Sequence, residues 1–160
     1  MFGLFKSKSI NEPGLGLLTK SGKTWNGVIS FGRYKNVELR LPGDGKAPDQ
    51  TSIELALQLA TQFANLEKQI AEALFEHYLP YQDAALRGEL MEESEPFPEI
   101  SVPGAVWPHV YPAYVLVAPL PGAPHPGPAV EIACGVDWDE EHTIGARIQG
   151  GRLIELCGSV

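Results

Sequence analysis

Cysteine is scarce in this chain: Cys134 and Cys157 are the only two in 160 residues, and they form no CxxC pair. That removes the paired-thiol patterns of zinc ribbons and redox motifs, and with them a disulfide-built fold. Both lie in apolar, strand-like sequence, where a thiol behaves as a small hydrophobe, so the reduced form is expected over a bridge between them. Long apolar runs are also missing; none approaches the ~20 residues needed to cross a bilayer. Cations are in short supply, with 12 Lys and Arg against 20 Asp and Glu and a formal net charge of −8. A surface of that sign disfavours the phosphate neutralisation that drives nucleic-acid binding and favours a basic protein partner, though such a charge also serves plain solubility. No HExxH, EF-hand or phosphate-loop pattern occurs, and Gly14-Leu15-Gly16 lacks the third glycine and the following helix of a dinucleotide site. No metal and no cofactor are therefore expected.

The length suits one domain that buries roughly two-thirds of its extended surface without metals or disulfides. Met1-Phe2-Gly3-Leu4-Phe5-Lys6-Ser7-Lys8 places its lysines after its few apolar residues, the reverse of a secretory signal, so residues 1–12 read as a loose terminus and the compartment as cytoplasmic. From residue 13 onward a single domain is expected. Gly14 to Lys20 reads as a first strand, turned by Ser21-Gly22. Thr24 to Phe31 is β-branched and aromatic, and Gly32 to Asn36 reads as a loop. Val37-Glu38-Leu39-Arg40-Leu41 alternates with Val37, Leu39 and Leu41 on one face. Together these form an antiparallel meander with one wet face, ended by Pro42-Gly43-Asp44-Gly45.

Thr51 and Glu54 have the spacing of a capping box and predict the start of a long helix over Ile53 to Tyr78. Its apolar stripe runs through Ala56, Leu59, Phe63, Leu66, Ile70 and Ala73. Gln58, Gln62, Asn65, Gln69, Glu72 and Glu76 follow the same rhythm on a face expected to be wet. Pro80 predicts its end, with a shorter helix over Gln82 to Met91 closed by Glu92-Glu93-Ser94-Glu95. His77 then stands at a helix C-terminus, where a cation suits the dipole.

Ten of the fourteen prolines fall between Pro96 and Pro128. That composition makes residues 96–128 mostly loop around one strand within Val110 to Leu120, with Pro119 to Pro128 an exposed connection. Ala129 to Trp138, Ile144 to Gln149 and Arg152 to Cys157 read as a second meander, its last hairpin closed by Gly150-Gly151. Trp25 and Trp138 are expected in the core, while Trp107, among prolines, suits core or surface.

Polar chemistry concentrates in Val136-Asp137-Trp138-Asp139-Glu140-Glu141-His142-Thr143-Ile144-Gly145, which holds four carboxylates and an imidazole. A hydrolytic enzyme would use His142 as general base, oriented by Asp139, Glu140 or Glu141, but no nucleophile stands at a diagnostic spacing. A metal would find two ligands in His142 and Asp139 and needs more. The structural alternative anchors Trp138 in the core and lets the carboxylates cap the turn. A partner surface built on Asp137, Asp139, Glu140, Glu141 and His142 is compatible with that alternative. An oligomeric or structural subunit, with an apolar patch around Trp107 to Tyr114, is a third class.

Trp25-Asn26-Gly27, the long helix and Trp138-Asp139-Glu140-Glu141-His142-Thr143-Ile144-Gly145 with its closing hairpin resemble bacterial domains of unknown function of the DUF6985 and DUF2262 kind. Members carry a W-x-G strand and a W-D-x-E-H-x-x-G segment. The resemblance implies an immunity-like or accessory role and transfers no catalytic residue. The resulting expectation is an α+β fold, an antiparallel sheet of two meanders packed on one long helix. The expected function, on charge and motif grounds, is non-catalytic binding of a basic protein, with a small hydrolase and a structural subunit as the alternatives.

Overall fold

The computed structural model describes residues 7–90, 96–158 and 160. It is an α+β fold with one long helix and a single eight-stranded sheet in which spatial order follows chain order. Strands β1 (Ser9–Glu12), β2 (Gly16–Ser21), β3 (Thr24–Phe31) and β4 (Tyr34–Pro42) precede helix α1 (Gln50–Leu86). After it come β5 (Val110–Ala118), β6 (Ala129–Val136), β7 (Asp139–Gln149) and β8 (Arg152–Gly158). Neighbours are antiparallel except β4 and β5, which pair in parallel through Glu38↔Tyr114, Leu39↔Val115 and Arg40↔Leu116. The two meanders are thus one sheet, because the helix carries the chain back to the starting end of β4, and a strand entering from there can only lie parallel to it. Strand β1 occupies part of the stretch read as a loose terminus, and the apolar start at residues 1–6 lies outside the described residues. The loop expected at residues 32–36 shortens to Gly32-Arg33, since Phe31 already pairs with Tyr34.

Pro112 sits within β5, where proline would remove a ladder bond. It is tolerated because the β4 pairing begins only at Tyr114, which leaves Pro112 on a locally unpaired edge. A register shift between Pro112 and Tyr114 takes up the irregularity against β6.

The helix begins and ends differently from the sequence expectation. Asp49, not Thr51, caps it: Asp49 has extended dihedrals (φ −65°, ψ 129°), and its Oδ2 accepts both the Ser52 N–H and the Ser52 hydroxyl at 2.9 Å. Asp49 is held in place by its own N–H, which donates to the Pro42 carbonyl at 2.8 Å. An aspartate fixed at that point outcompetes a capping box two residues on. Pro80 does not end the helix, which runs on through Leu86 and absorbs most of the expected second helix. Leu79 and Pro80 are exposed, so water can reach the carbonyl that Pro80 leaves without a donor. Tyr78 and Tyr81, on either side, are anchored to other elements. Met91 and the acidic run Glu92 to Glu95 lie outside the described residues.

At 37 residues α1 is about 55 Å long at 1.5 Å per residue. Its buried side chains, among them Ala56, Leu59, Phe63, Leu66, Ile70, Leu74 and Tyr78, pack on one face of the sheet. Val37, Leu39, Leu41, Val115, Val117, Val130, Ile132 and Ile148 oppose them. Trp25 and Trp138 are in this core, and so is Trp107, packed edge-on against Phe63 with the Arg33 guanidinium 5.6 Å from its ring. Of the stretch from Trp107 to Tyr114 expected to form an apolar surface patch, Trp107 thus belongs to the core while Tyr111 is exposed. Among the described residues no helix is long and apolar enough to cross a membrane.

Candidate functional site

The segment read as one acidic turn divides into a two-residue hairpin turn, Asp137-Trp138, and the start of β7, since Val136 already pairs with Asp139. Strand geometry separates its four carboxylates. Trp138 is drawn into the core, where its ring meets Tyr78 edge-on and its indole N–H donates to His77 Nδ1 at 3.0 Å. An imidazole nitrogen that accepts cannot carry a proton, so His77 is neutral, with its hydrogen on Nε2. Burial holds its pKa below the ordinary value, Asp139 opposes that shift and His142 adds to it. His77 is therefore not the helix-terminal cation expected from sequence: α1 continues beyond it, and the dipole end lies elsewhere.

Asp139 is buried, with a side chain only 6% exposed. Its Oδ2 accepts the Tyr81 hydroxyl at 2.6 Å, and its Oδ1 lies 2.8 Å from His142 Nδ1. Burial pushes the Asp139 pKa up, but the two hydrogen bonds and the neighbouring imidazoles outweigh it and leave the carboxyl below its ordinary value. The same hydrogen bond raises Tyr81 to about 12. Asp139 is thus a carboxylate that only accepts, which places the His142 proton on Nδ1 and leaves Nε2 as the basic nitrogen of a half-exposed ring.

A second histidine–aspartate pair lies on the other side of the turn. His109 Nδ1 is 2.8 Å from Asp137 Oδ2, which also accepts the Tyr111 hydroxyl at 3.2 Å, and the Asp137 N–H donates to the His109 carbonyl. Asp137 and Asp139 therefore each hold one histidine and one tyrosine, on the two flanks of Trp138. Glu140 and Glu141 differ from them: both are exposed, and neither forms a hydrogen bond or ion pair with a described residue.

Sequence reasoning missed Tyr81, His77, His109 and Tyr111 because their partners stand between 26 and 61 positions away. The available signal was weak: Tyr81 follows His77 by four residues, one helical turn, so both side chains point the same way. Gly145, the last residue of the segment, has a steric role. A Cβ there would come within 3.0 Å of the Glu131 carboxyl carbon and 2.9 Å of Cys157 Sγ. Glu131, on the sheet face away from α1, is 3% exposed and passes over Gly145 between Arg147 Nε at 2.7 Å and the Cys157 thiol at 3.6 Å. Both cysteines are free thiols.

The Asp139–His142 pair has the geometry of an oriented general base, and among the described residues no Ser, Thr or Cys side chain is hydrogen-bonded to it. Among the described residues no group of three or more His, Cys, Asp or Glu is arranged to hold a metal. The most distinct clefts of the surface are lined by other residues. No curated protein and no solved structure matches the chain. The model of one family, described as a domain of unknown function (DUF6985), matches residues 14–159, nearly the whole chain, and the protein belongs to that family.

Proposed function

We propose that this is a bacterial, cytoplasmic, non-catalytic binding protein of immunity or accessory type, which meets a basic protein partner through Glu140 and Glu141. The supporting observation is how the segment divides its polar groups. Trp138, Asp139, His142 and Asp137 are engaged in hydrogen bonds within the molecule, while the two adjacent carboxylates Glu140 and Glu141 at the start of β7 form no hydrogen bond or ion pair with a described residue. The net charge of −8 extends their field and favours encounter with a cationic surface.

The test is capture of partners from lysate by wild type and by a Glu140→Gln, Glu141→Gln double variant, at low and moderate salt. Asp139 is left intact because it holds Tyr81 and His142. The expected result is a basic protein retained by wild type at low salt, weakened by salt and lost in the variant. Equal capture by both, or none at either salt, refutes the reading. The oriented Asp139–His142 pair favours a second reading, a small hydrolase. Hydrolysis of an ester substrate that disappears in His142→Gln and survives in the glutamate double variant would establish it over the first.

A further inference from the structure

Gln58, Gln62, Asn65 and Gln69 recur on α1 at the spacing of successive turns. The last of them shows where the row lies: Gln69 Oε1 accepts the Leu153 N–H of β8 at 3.2 Å. The row therefore runs along the β7–β8 edge of the sheet rather than facing water alone. Beyond Gln69 the side-chain amides of Gln58, Gln62 and Asn65 form no hydrogen bond with a described residue, and they border a cleft between the helix and the β7–β8 hairpin.

Leu59, Val130 and Ile148, all buried, make the floor of this cleft. Its mouth stays open because Gly150 and Gly151 both have positive φ, +62° and +73°, which disfavours any side chain there. Gln149 closes one side as a fixed wall, since its amide is held by a reciprocal pair of hydrogen bonds with the His125 backbone. The occupiable volume is about 120 Å³. An enclosed aliphatic cavity of about 150 Å³ admits benzene, so this open cleft has room for a single ring at most.

Among the described residues no charged side chain lines the cleft, in a chain of which 20% is charged. An ionised ligand would lose its hydration there without a counter-charge. The exposed carboxamides of Gln58, Gln62 and Asn65, which form no hydrogen bond with a described residue, instead offer donors and acceptors side by side, the complement of an amide edge. We infer that this cleft binds a neutral, single-ring ligand with an amide or lactam edge, its face on Leu59, Val130 and Ile148 and its edge on Gln58, Gln62 and Asn65. The site stands at the opposite end of β7 from Glu140, roughly 30 Å away at about 3.3 Å per residue, and is independent of the binding role proposed above.

The test is a ¹H–¹⁵N chemical-shift titration of the full chain with 2-pyridone, with benzoate and toluene as charged and edge-free comparisons. Saturable shifts are expected at Gly150, Gly151 and the side-chain amides of Gln62 and Asn65, with a dissociation constant on the order of millimolar for so small a ligand. Gln62→Trp, at an exposed position that leaves the core untouched, lays an indole across the mouth and weakens 2-pyridone at least tenfold. The Gln62→Leu, Asn65→Leu double variant weakens 2-pyridone and spares toluene. Absence of saturable shifts at the hairpin, equal binding of benzoate or toluene by wild type, or wild-type affinity in Gln62→Trp would overturn the assignment.

Discussion

The hydrogen bond from the Trp138 indole to His77 ties stability to pH, with a sign that follows from which atom accepts. His77 Nδ1 keeps its lone pair only in the neutral ring, and burial holds the folded-state pKa below the ordinary 6.5. Below pH 6.5 the unfolded chain therefore binds a proton that the folded protein resists, and stability falls as pH falls. The loss begins near 6.5 and levels off once pH passes the folded-state value. Asp139 and His142, the titratable groups facing His77, act in opposite directions and leave the net shift downward. At pH 5.5 a ring kept fully neutral would cost about 1.4 kcal/mol relative to pH 7.5. The ring is only half-buried, so solvent screening reduces the expected cost to roughly 0.5–1 kcal/mol. His77→Gln, which retains an acceptor that does not titrate, isolates the effect: urea unfolding followed by tryptophan fluorescence at pH 7.5, 6.5 and 5.5 should show wild type losing that much more than the variant. Parallel pH profiles, or a wild type that gains stability on acidification relative to His77→Gln, would refute the neutral-acceptor geometry.

The helix ends and the buried charge give three further tests, each read as a change in urea or thermal midpoint. Asp49→Ala should cost about 1 kcal/mol and Thr51→Ala a few tenths, because Asp49 holds the cap; the reverse order would restore the capping box. Pro80→Ala should stabilise by about 1–2 kcal/mol, a rise of roughly 2–6 °C, since it returns a donor to a helix that already continues; a loss would show that α1 needs the interruption. Arg147→Met should cost about 3 kcal/mol by leaving the 3%-exposed Glu131 without its cation, whereas Glu155→Gln, on the exposed side of the same arginine, should cost under about 1 kcal/mol.

What the sequence made legible was periodic. β-Branched and aromatic composition located β3, period-two alternation located the buried face of β4, the double glycine located the last hairpin, and the Ala56 to Ile70 stripe located the core face of α1. What it hid was decided by partners distant in the chain. Pro80 was a sound stop signal by local rules, overridden because Tyr78 bonds Pro98 and Ile100 on one side while Tyr81 bonds Asp139 on the other. The union of two meanders into one sheet depends on three parallel pairs between β4 and β5, which leave no mark in local composition. The amide row was correctly read as polar, but its place along the sheet edge became visible only through Gln69 and Leu153.

The segment that concentrates polar residues does so mainly for architectural reasons. Trp138 must bring its indole N–H into the core, and His77 satisfies it there. Asp139 is carried inward as the next residue, and Tyr81 and His142 neutralise the cost of burying a carboxylate by donating to both of its oxygens. Gly145 is small because Glu131 crosses above it to reach Cys157. After these demands are met, Glu140 and Glu141 are the acidic side chains of the segment that form no hydrogen bond or ion pair with a described residue. Their neutralisation should therefore leave stability within about 0.5 kcal/mol of wild type. A loss of partner capture in the Glu140→Gln, Glu141→Gln variant would then report recognition, because the same denaturation curve shows whether the fold was disturbed.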